Sequence, residues 1–175
     1  MNQQLEIVAC GPSDVDRISE VAIQSYKEFY LHLWFDDGSW YITRSFRPDV
    51  IKEEMNNPNA AFFLLVMQNE LVGFIKLNVD QPLNGENEFR CTELERIYLL
   101  KKVTGLGLGR KAMEFCFDFA KKKNKQVIWL KAMDTSDAIE FYKRMGFVIC
   151  GELRLDFELM KPELRGMKIL MKRLT

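Results

Sequence analysis

Three glycines at alternating positions in the middle of the chain restrict its fold more than any other feature. Gly105, Gly107 and Gly109 follow a segment with strand-like alternation and precede residues 112–120, whose apolar positions have helical spacing. Glycines in such a turn let a ligand's phosphates approach unpaired backbone amides at the start of the helix. A tight turn that needs glycine only for its backbone is the other interpretation. Because Arg110 adds positive charge at the same place, we favour an anion-binding turn.

The hydrophobic pattern predicts one domain over residues 1–175, a length too short for two comfortable cores. The predicted order β-α-α-β-β-β-α-β-α-β-β places an antiparallel meander before a strand–helix–strand crossover. This order defines an α/β domain with a mixed, twisted β-sheet flanked by helices. The expected strands are residues 5–10, 60–67, 71–79, 91–100, 127–132, 147–157 and 167–172. The expected helices are residues 14–30, 48–57 and 136–145, and one that follows the glycines and closes near residue 123.

Composition excludes several classes of protein. Hydrophobic residues make up 47% and charged residues 29% of the chain, which is typical of a globular domain. No apolar run approaches the ~20 residues of a membrane-spanning helix, and the first residues lack the features of a secretory signal. We therefore expect a cytoplasmic protein without a membrane partner. The basic run at residues 121–125 has no interleaved aromatics, so no nucleic-acid partner is expected.

Cysteine and histidine offer neither a metal site nor a catalytic triad. The four cysteines are widely spaced, at Cys10, Cys91, Cys116 and Cys150. We interpret them as reduced core thiols. The single histidine, His32, has no nucleophile motif near it, and we interpret it as a partly buried polar ring. No metal is expected.

A second motif, Ala-Ile-Glu-Phe-Tyr-Lys-Arg-Met-Gly-Phe at residues 138–147, lies one strand after the glycine turn. By itself it is explained as the packed face of a helix that Gly146 caps. Together with the glycine turn, it resembles the GCN5-related N-acetyltransferase (GNAT) superfamily. The resemblance is strong over residues 60–150 and extends to the remainder through the order of elements.

Both family signatures show one departure in this chain. The signature Gln/Arg-x-x-Gly-x-Gly/Ala falls on residues 104–109, where Thr104 replaces Gln or Arg. The pattern Asn-x-x-Ala-x-x-Phe-Tyr-x-x-x-Gly-Phe falls on residues 135–147, where Thr135 replaces Asn. The family holds the coenzyme mostly through backbone amides, so the resemblance still implies a phosphate-binding turn.

The resemblance implies acetyl-coenzyme A as the cosubstrate. Residues 94–99 resemble the strand whose backbone pairs with the pantetheine arm, and a backbone amide near Leu99 is expected to stabilise the oxyanion. The implied coenzyme-binding residues are Ile97, Tyr98, Leu99, Thr104, Gly105, Leu106, Gly107, Leu108, Gly109, Arg110, Thr135 and Asp137.

The resemblance also implies the catalytic groups. Tyr142 matches the family tyrosine that donates a proton to the departing thiolate. An amine must lose a proton to attack a thioester, so a carboxylate base is expected. Glu93 is our first candidate, because the resemblance aligns it with the position where several family members keep a general base, and Glu95 is the second. Strand alternation predicts one face for Glu93, Glu95, Ile97 and Leu99. An exposed strand glutamate without a catalytic role is the alternative for either.

The expected acceptor is a small primary amine, with a polyamine favoured. Residues 1–90 carry 7 Lys/Arg and 14 Asp/Glu, whereas residues 91–175 carry 18 and 11. The aromatics of residues 31–46 could hold a cation together with nearby acids, although ordinary loop acids explain the pattern equally well. Those acids are Asp36, Asp37, Glu86 and Glu88. Among relatives, the chain resembles the PaiA-like spermidine/spermine N-acetyltransferase group, and a homodimer is a further expectation.

Two other functions stay open at this point. Gly107-x-Gly109-x-x-Ala112 also fits the dinucleotide fingerprint, with Asp134 about 25 residues later. A dinucleotide-binding oxidoreductase domain is therefore one alternative, although the glycines lie mid-chain after an antiparallel meander. A non-catalytic sensor that binds acyl-coenzyme A is the other.

Overall fold

A seven-stranded β-sheet with the order β1-β2-β3-β4-β5-β7-β6 forms the centre of the computed structural model, which describes residues 4–83 and 90–175. The strands are β1 (Leu5–Ala9), β2 (Ala60–Met67), β3 (Glu70–Asn78), β4 (Cys91–Leu99), β5 (Val127–Met133), β6 (Val148–Arg154) and β7 (Gly166–Arg173). The helices are α1 (Val15–Phe29), α2 (Ser39–Phe46), α3 (Pro48–Met55), α4 (Leu108–Lys122) and α5 (Ala138–Arg144). Among the described strands, β4 and β5 pair in parallel and the other neighbours are antiparallel. The predicted mixed-sheet α/β class is confirmed.

Helix α2 is the α-helix that the predicted order of elements lacked. It begins after Gly38, whose φ of 78° is in the left-handed region. Aromatic residues have only moderate helix propensity, and this short helix contains Trp40, Tyr41 and Phe46. The rings of Tyr41 and Phe46 pack against Tyr26 of α1, with centroids 5.0 and 5.4 Å away. Tertiary packing, which the sequence pattern does not show, therefore stabilises this helix.

The apolar core consists of two main clusters on opposite faces of the sheet. Leu65 and Ile75 face the cluster that includes α4 and α5, whereas Leu64 and Phe74 face the cluster that includes α1, α2 and α3. All four side chains are fully buried, and burying each contributes about 1.5–3 kcal/mol. The central strands are thus covered on both faces.

A β-bulge interrupts strand β4. Leu77 of β3 lies opposite Leu94, and the preceding residue, Lys76, lies opposite Arg96. Glu95 is therefore the extra residue of the bulge, without a partner in the ladder. A bulge re-aims the side chains on either side of it, so the alternation of β4 changes at this residue.

The bulge corrects one prediction about β4. Leu94, Ile97 and Leu99 contribute to the α4 cluster, whereas Tyr98 and Leu100 contribute to the α1 cluster. Strict alternation would have separated Leu94 from Ile97. The prediction of one shared face is therefore wrong for Glu93, Glu95, Ile97 and Leu99.

Strands β4 and β5 separate after a short paired region. Their register comprises Cys91 with Val127, Thr92 with Ile128 and Glu93 with Trp129. From Leu94 onward, the edge of β4 that faces β5 has no strand partner in the described part of the chain. The sheet therefore opens in the middle, directly beside the bulge.

Cysteine burial differs from the prediction at one end of the sheet. Cys91 and Cys116 are buried, but Cys150 on the edge strand β6 is exposed. Within residues 4–83 and 90–175, no three or more His, Cys, Asp or Glu side chains form a group that could hold a metal ion. No helix in these same ranges has the length and apolar character to cross a membrane.

Candidate active site

The opening between β4 and β5 contains two adjoining cavities. The first, which we call the aromatic cavity, has a volume of about 300 Å³ and is bordered by rings from α1, α2 and the segment after β6. The second, the loop cavity, has a volume of about 550 Å³ and is bordered by the loops after β4 and β5. Both are bordered by Tyr30, Ile97, Tyr98 and Met133. Two molecules held in the two cavities would therefore meet at the splayed strands.

The glycine turn lies between β4 and α4. Gly105 and Gly107 have φ values of 82° and 77°, which are strained for any residue with a Cβ. A Cβ built at either position meets no atom within 4 Å, so the backbone angle, and not crowding, requires glycine there. Helix α4 begins directly after Gly107, and the first N–H groups of a helix have no partner within it. The turn and these amides form an open surface suited to an anion.

Six of the predicted coenzyme-binding residues border the loop cavity. They are Ile97, Tyr98, Leu99, Thr104, Thr135 and Asp137. The other six form the remainder of the turn and the start of α4 and do not border either cavity; they are Gly105, Leu106, Gly107, Leu108, Gly109 and Arg110. His32 also borders the loop cavity and is exposed, so its interpretation as a partly buried ring is wrong.

Tyr142 of α5 borders the aromatic cavity. Its half-buried ring packs edge-on against Phe141 and Phe147, with centroids 5.5 and 5.8 Å away. Burial raises the pKa of this phenol well above its ordinary value, with a further contribution from Tyr30. The Tyr142 hydroxyl forms no hydrogen bond with another described residue. Every buried side-chain oxygen of the described residues has a hydrogen-bond partner, so this hydroxyl is not fully buried and solvent reaches it. Tyr142 is thus a protonated, accessible phenol at neutral pH.

The two candidate base residues occupy different surroundings. Glu93 is buried and borders neither cavity. Its carboxylate accepts a hydrogen bond of 2.9 Å from Asn78 Nδ2 and lies 3.3 Å from Lys131 Nζ. Glu95 is the bulge residue, is partly exposed, borders the aromatic cavity and forms an ion pair with Lys76. The fold therefore brings Glu95, and not Glu93, to the same cavity as Tyr142.

An ion-pair network extends from Glu95 to helix α3. Lys76 Nζ lies 3.1 Å from Glu54 Oε2, so this buried lysine bridges Glu54 and Glu95. Arg96 donates two hydrogen bonds to the same Glu54 carboxylate, at 2.7 and 3.0 Å. Burial lowers the pKa of Arg96, but the hydrogen bonds to Glu54 and the negative charges of Glu54 and Glu95 together outweigh burial and raise the pKa above its ordinary value. No sequence pattern indicated this network, because α3, β3 and β4, which contribute its members, are separate segments of the chain.

Aromatic side chains form the wall of the aromatic cavity opposite β5. Trp34 Nε1 donates a hydrogen bond of 2.7 Å to the Tyr26 hydroxyl, which joins the segment after α1 to α1 itself. Tyr41 stacks on both rings, with centroids 5.0 Å from Tyr26 and 5.1 Å from Trp34. Sequence reasoning singled out residues 31–46 but missed Tyr26 and Phe157. Tyr26 could have been found from its spacing of four residues from Tyr30 on α1. Phe157 offered only a single phenylalanine in the segment after β6.

Asp36 and Asp37, the two described acids that were expected to hold a cation, do not border this cavity. Asp36 accepts backbone hydrogen bonds from Gly38 and Trp40, at 3.1 and 2.8 Å, and so caps α2. Asp37 is exposed and borders neither cavity. The predictions for Glu86 and Glu88 lie outside the described residues.

Comparison with known proteins identifies the family. The acetyltransferase (GNAT) family model matches residues 19–147. An uncharacterised N-acetyltransferase in the pepI 3′ region of Lactobacillus delbrueckii subsp. lactis is 30% identical over 135 residues, which cover 72% of this chain and 78% of that protein. The chain belongs to the GNAT acetyltransferase family and is an N-acetyltransferase. The alternative of a dinucleotide-binding oxidoreductase is wrong.

Solved structures show the same fold at low identity. The PaiA N-acetyltransferase from Thermoplasma acidophilum, in complex with coenzyme A, is 20% identical with a TM-score of 0.74 over 97% of this chain and 99% of that chain. A mutant form of the spermidine N-acetyltransferase SpeG from Vibrio cholerae is 17% identical, with a TM-score of 0.70 over 98% of this chain and 94% of that chain. These similarities extend the GNAT fold over nearly the whole chain.

Proposed function

We propose that this protein transfers an acetyl group from acetyl-coenzyme A to a primary amine by direct attack of the amine on the thioester. The observation that carries the proposal is the separation of β4 from β5, which joins the loop cavity to the aromatic cavity beside Tyr142 and Glu95. A donor in one cavity and an acceptor in the other would react where the strands diverge.

The loop cavity, together with the glycine turn that follows Thr104 at its border, fits coenzyme A. The glycine turn and the first amides of α4 would hold the diphosphate, and Arg110 would add positive charge. Among the described strands, none pairs with the β5-facing edge of β4 near Ile97 and Leu99, so the amide groups of pantetheine could pair with this edge as an added strand does. Thr135 and Asp137 border the same cavity near the start of α5.

Three groups of this chain would assist the transfer. Glu95 would accept the proton that the ammonium must lose before its nitrogen attacks the carbonyl carbon. A backbone amide near Leu99 would donate a hydrogen bond to the carbonyl oxygen. As the carbon–sulfur bond breaks, Tyr142, a phenol that is protonated at neutral pH, would donate its proton to the sulfur. The second proton that the nitrogen loses after it attacks would restore the Tyr142 phenol, and Glu95 would release its proton to solvent. The products are the N-acetylated amine, coenzyme A and one proton. We prefer Glu95 to Glu93 because Glu93 borders neither cavity.

Thiol release from acetyl-coenzyme A with a panel of primary amines tests this proposal. We expect amine-dependent thiol release, and we expect coenzyme A, but not NADH, to raise the melting temperature by binding the folded state. Absence of thiol release with every amine of a broad panel would refute amine transfer. A melting temperature insensitive to coenzyme A would refute the assignment of the loop cavity.

Several finer expectations stay predictions. The polyamine acceptor and the PaiA-like subgroup are among them, since structural similarity at 20% and 17% identity shows the fold alone. The homodimer, the cytoplasmic location and the absence of nucleic-acid and membrane partners are likewise untested.

A further inference from the structure

We infer that the acceptor, if the proposed function holds, is a monoamine whose single ammonium group is attached to an apolar body with a planar ring. The inference rests on two observations about the aromatic cavity: the rings that form its wall and the charges around it. Both distinguish this acceptor from the polyamine that the sequence favoured.

The rings provide an apolar, flat wall for such a body. Tyr26, Tyr41 and Trp34 form a continuous stack, with interplanar angles of 26° and 25° between neighbours. Phe157, from the segment after β6, adds a tilted ring 5.9 Å from Trp34. Tyr98 of β4 adds another ring at the splayed edge. Tyr26 and Trp34 are themselves buried, so a planar group of the ligand would pack on the half-buried rings of Tyr41, Tyr98 and Phe157, as aromatic pairs do.

The charges around the cavity are already balanced among themselves. Three carboxylates and three cations make four pairings: Glu54 with Lys76 and with Arg96, Glu95 with Lys76, and Glu93 with Lys131. Their formal charges sum to zero. Among the described residues that border the aromatic cavity, Glu95 is the single carboxylate, whereas Arg96 and Lys131 are cations. One ammonium can therefore approach Glu95, but a second would meet cations and no further carboxylate among the cavity-lining residues that the structure describes.

Cations of the protein also occupy nearby ring faces. Arg44 lies over Trp40 and Phe157, with its guanidinium carbon 5.2 and 5.6 Å from the ring centroids. Arg96 lies 5.4 Å from the centroid of Phe46. Cation–π binding of further ammonium groups would have to compete with these side chains. The site therefore favours one positive charge and an uncharged, ring-bearing remainder.

Two matched pairs of amines separate charge from ring shape. n-Butylamine and 1,4-diaminobutane have the same carbon chain and differ by one ammonium group. 2-Phenylethylamine and 2-cyclohexylethylamine have similar bulk and differ in planarity. We expect kcat/KM to be about tenfold lower for the diamine than for butylamine, and about tenfold higher for the phenyl than for the cyclohexyl amine, the size of one lost or gained contact. Spermidine is expected to be a poorer acceptor than 2-phenylethylamine.

A variant tests whether the ring wall is responsible. Tyr41→Leu should raise KM for 2-phenylethylamine about three- to tenfold and change KM for butylamine little, whereas Tyr41→Phe, which keeps the ring, should behave like the wild type. A retained coenzyme A-dependent rise in melting temperature shows that the variant is folded.

A preference for diamine or spermidine, with acetylation intact, overturns this inference and leaves the proposed function standing. No acetylation of any amine refutes both, and equal kcat/KM within both pairs overturns the inference alone.

Discussion

The two cavities beside strand β4 are built in different ways. Apart from a few residues of α1 and the segment after it, the loop cavity is bordered by two short stretches, one from Ile97 to Thr104 and one from Met133 to Phe141. The aromatic cavity collects residues from α1, α2, β4, β5, α5 and the segments around β6. The comparison indicates that the donor side is encoded by local motifs, whereas the acceptor side depends on how distant elements pack. Four predictions test this contrast.

The largest effect is expected at the junction of the two cavities. Tyr142→Phe removes the proposed proton donor and should lower kcat about 10²- to 10⁴-fold, the usual contribution of a general acid. Coenzyme A binding, measured by calorimetry, should be unchanged, since the ring and its packing are retained. Tyr30→Phe serves as a matched control, because Tyr30 borders the same cavities but has no proposed role in proton transfer. If the protein were a non-catalytic sensor, neither the wild type nor these variants would show turnover.

On the acceptor side, Lys76→Met removes the cation between Glu54 and Glu95. Glu95 then lacks its ion-pair partner, while Glu54 keeps two hydrogen bonds from Arg96, so we expect the free energy of unfolding, measured in urea, to fall by about 1.5–3 kcal/mol, the usual contribution of a hydrogen bond to a charged group. Lys102→Met is the control: its pair with Glu70 is exposed and screened by solvent, so the free energy of unfolding should change little. Equal effects of the two substitutions would show that the buried network does not stabilise the acceptor side.

On the donor side, Gly107→Ala strains the turn, because a positive φ costs an L-residue about 1–2 kcal/mol. We expect KM for acetyl-coenzyme A to rise about tenfold while KM for the amine stays the same. Gly11→Ala is the control, since Gly11 has φ −125° and open space around it. A change in amine KM equal to that for the coenzyme would contradict the division between the two sides.

The smallest effect concerns pH. Since burial raises the pKa of Tyr142 above the ordinary tyrosine value of about 10, this phenol stays protonated and able to donate up to at least that pH. We therefore expect no loss of kcat between pH 8 and 10 from its ionisation. A kcat–pH profile of the wild type checks this. A decrease in kcat at alkaline pH, with an apparent pKa below 9, that disappears in Tyr142→Phe would contradict a raised pKa for Tyr142.

The sequence predicted the elements that have their own periodicity. The strands from Ala60 to Leu99 and the helix after the glycines appear close to the expected bounds, because alternation and helical spacing are local properties. Helix α2 was missed because its aromatic residues are held by partners in α1. The prediction that Glu93 and Glu95 share a face was wrong because of the β-bulge in β4. A bulge depends on how β4 pairs with β3, and no pattern within β4 indicates that pairing.

By itself, the sequence determined the turn at Gly105 and Gly107, the order of strands and helices around it, and the family that both motifs indicate. These features follow from backbone angles and from spacing along one segment. The tertiary structure alone decided that Glu95 borders the cavity of Tyr142, that Lys76 lies between Glu54 and Glu95, and that rings from α1, α2 and the segment after β6 form one wall. Such contacts join residues that are far apart in the chain, and the packing free energy of the whole domain determines which of them meet.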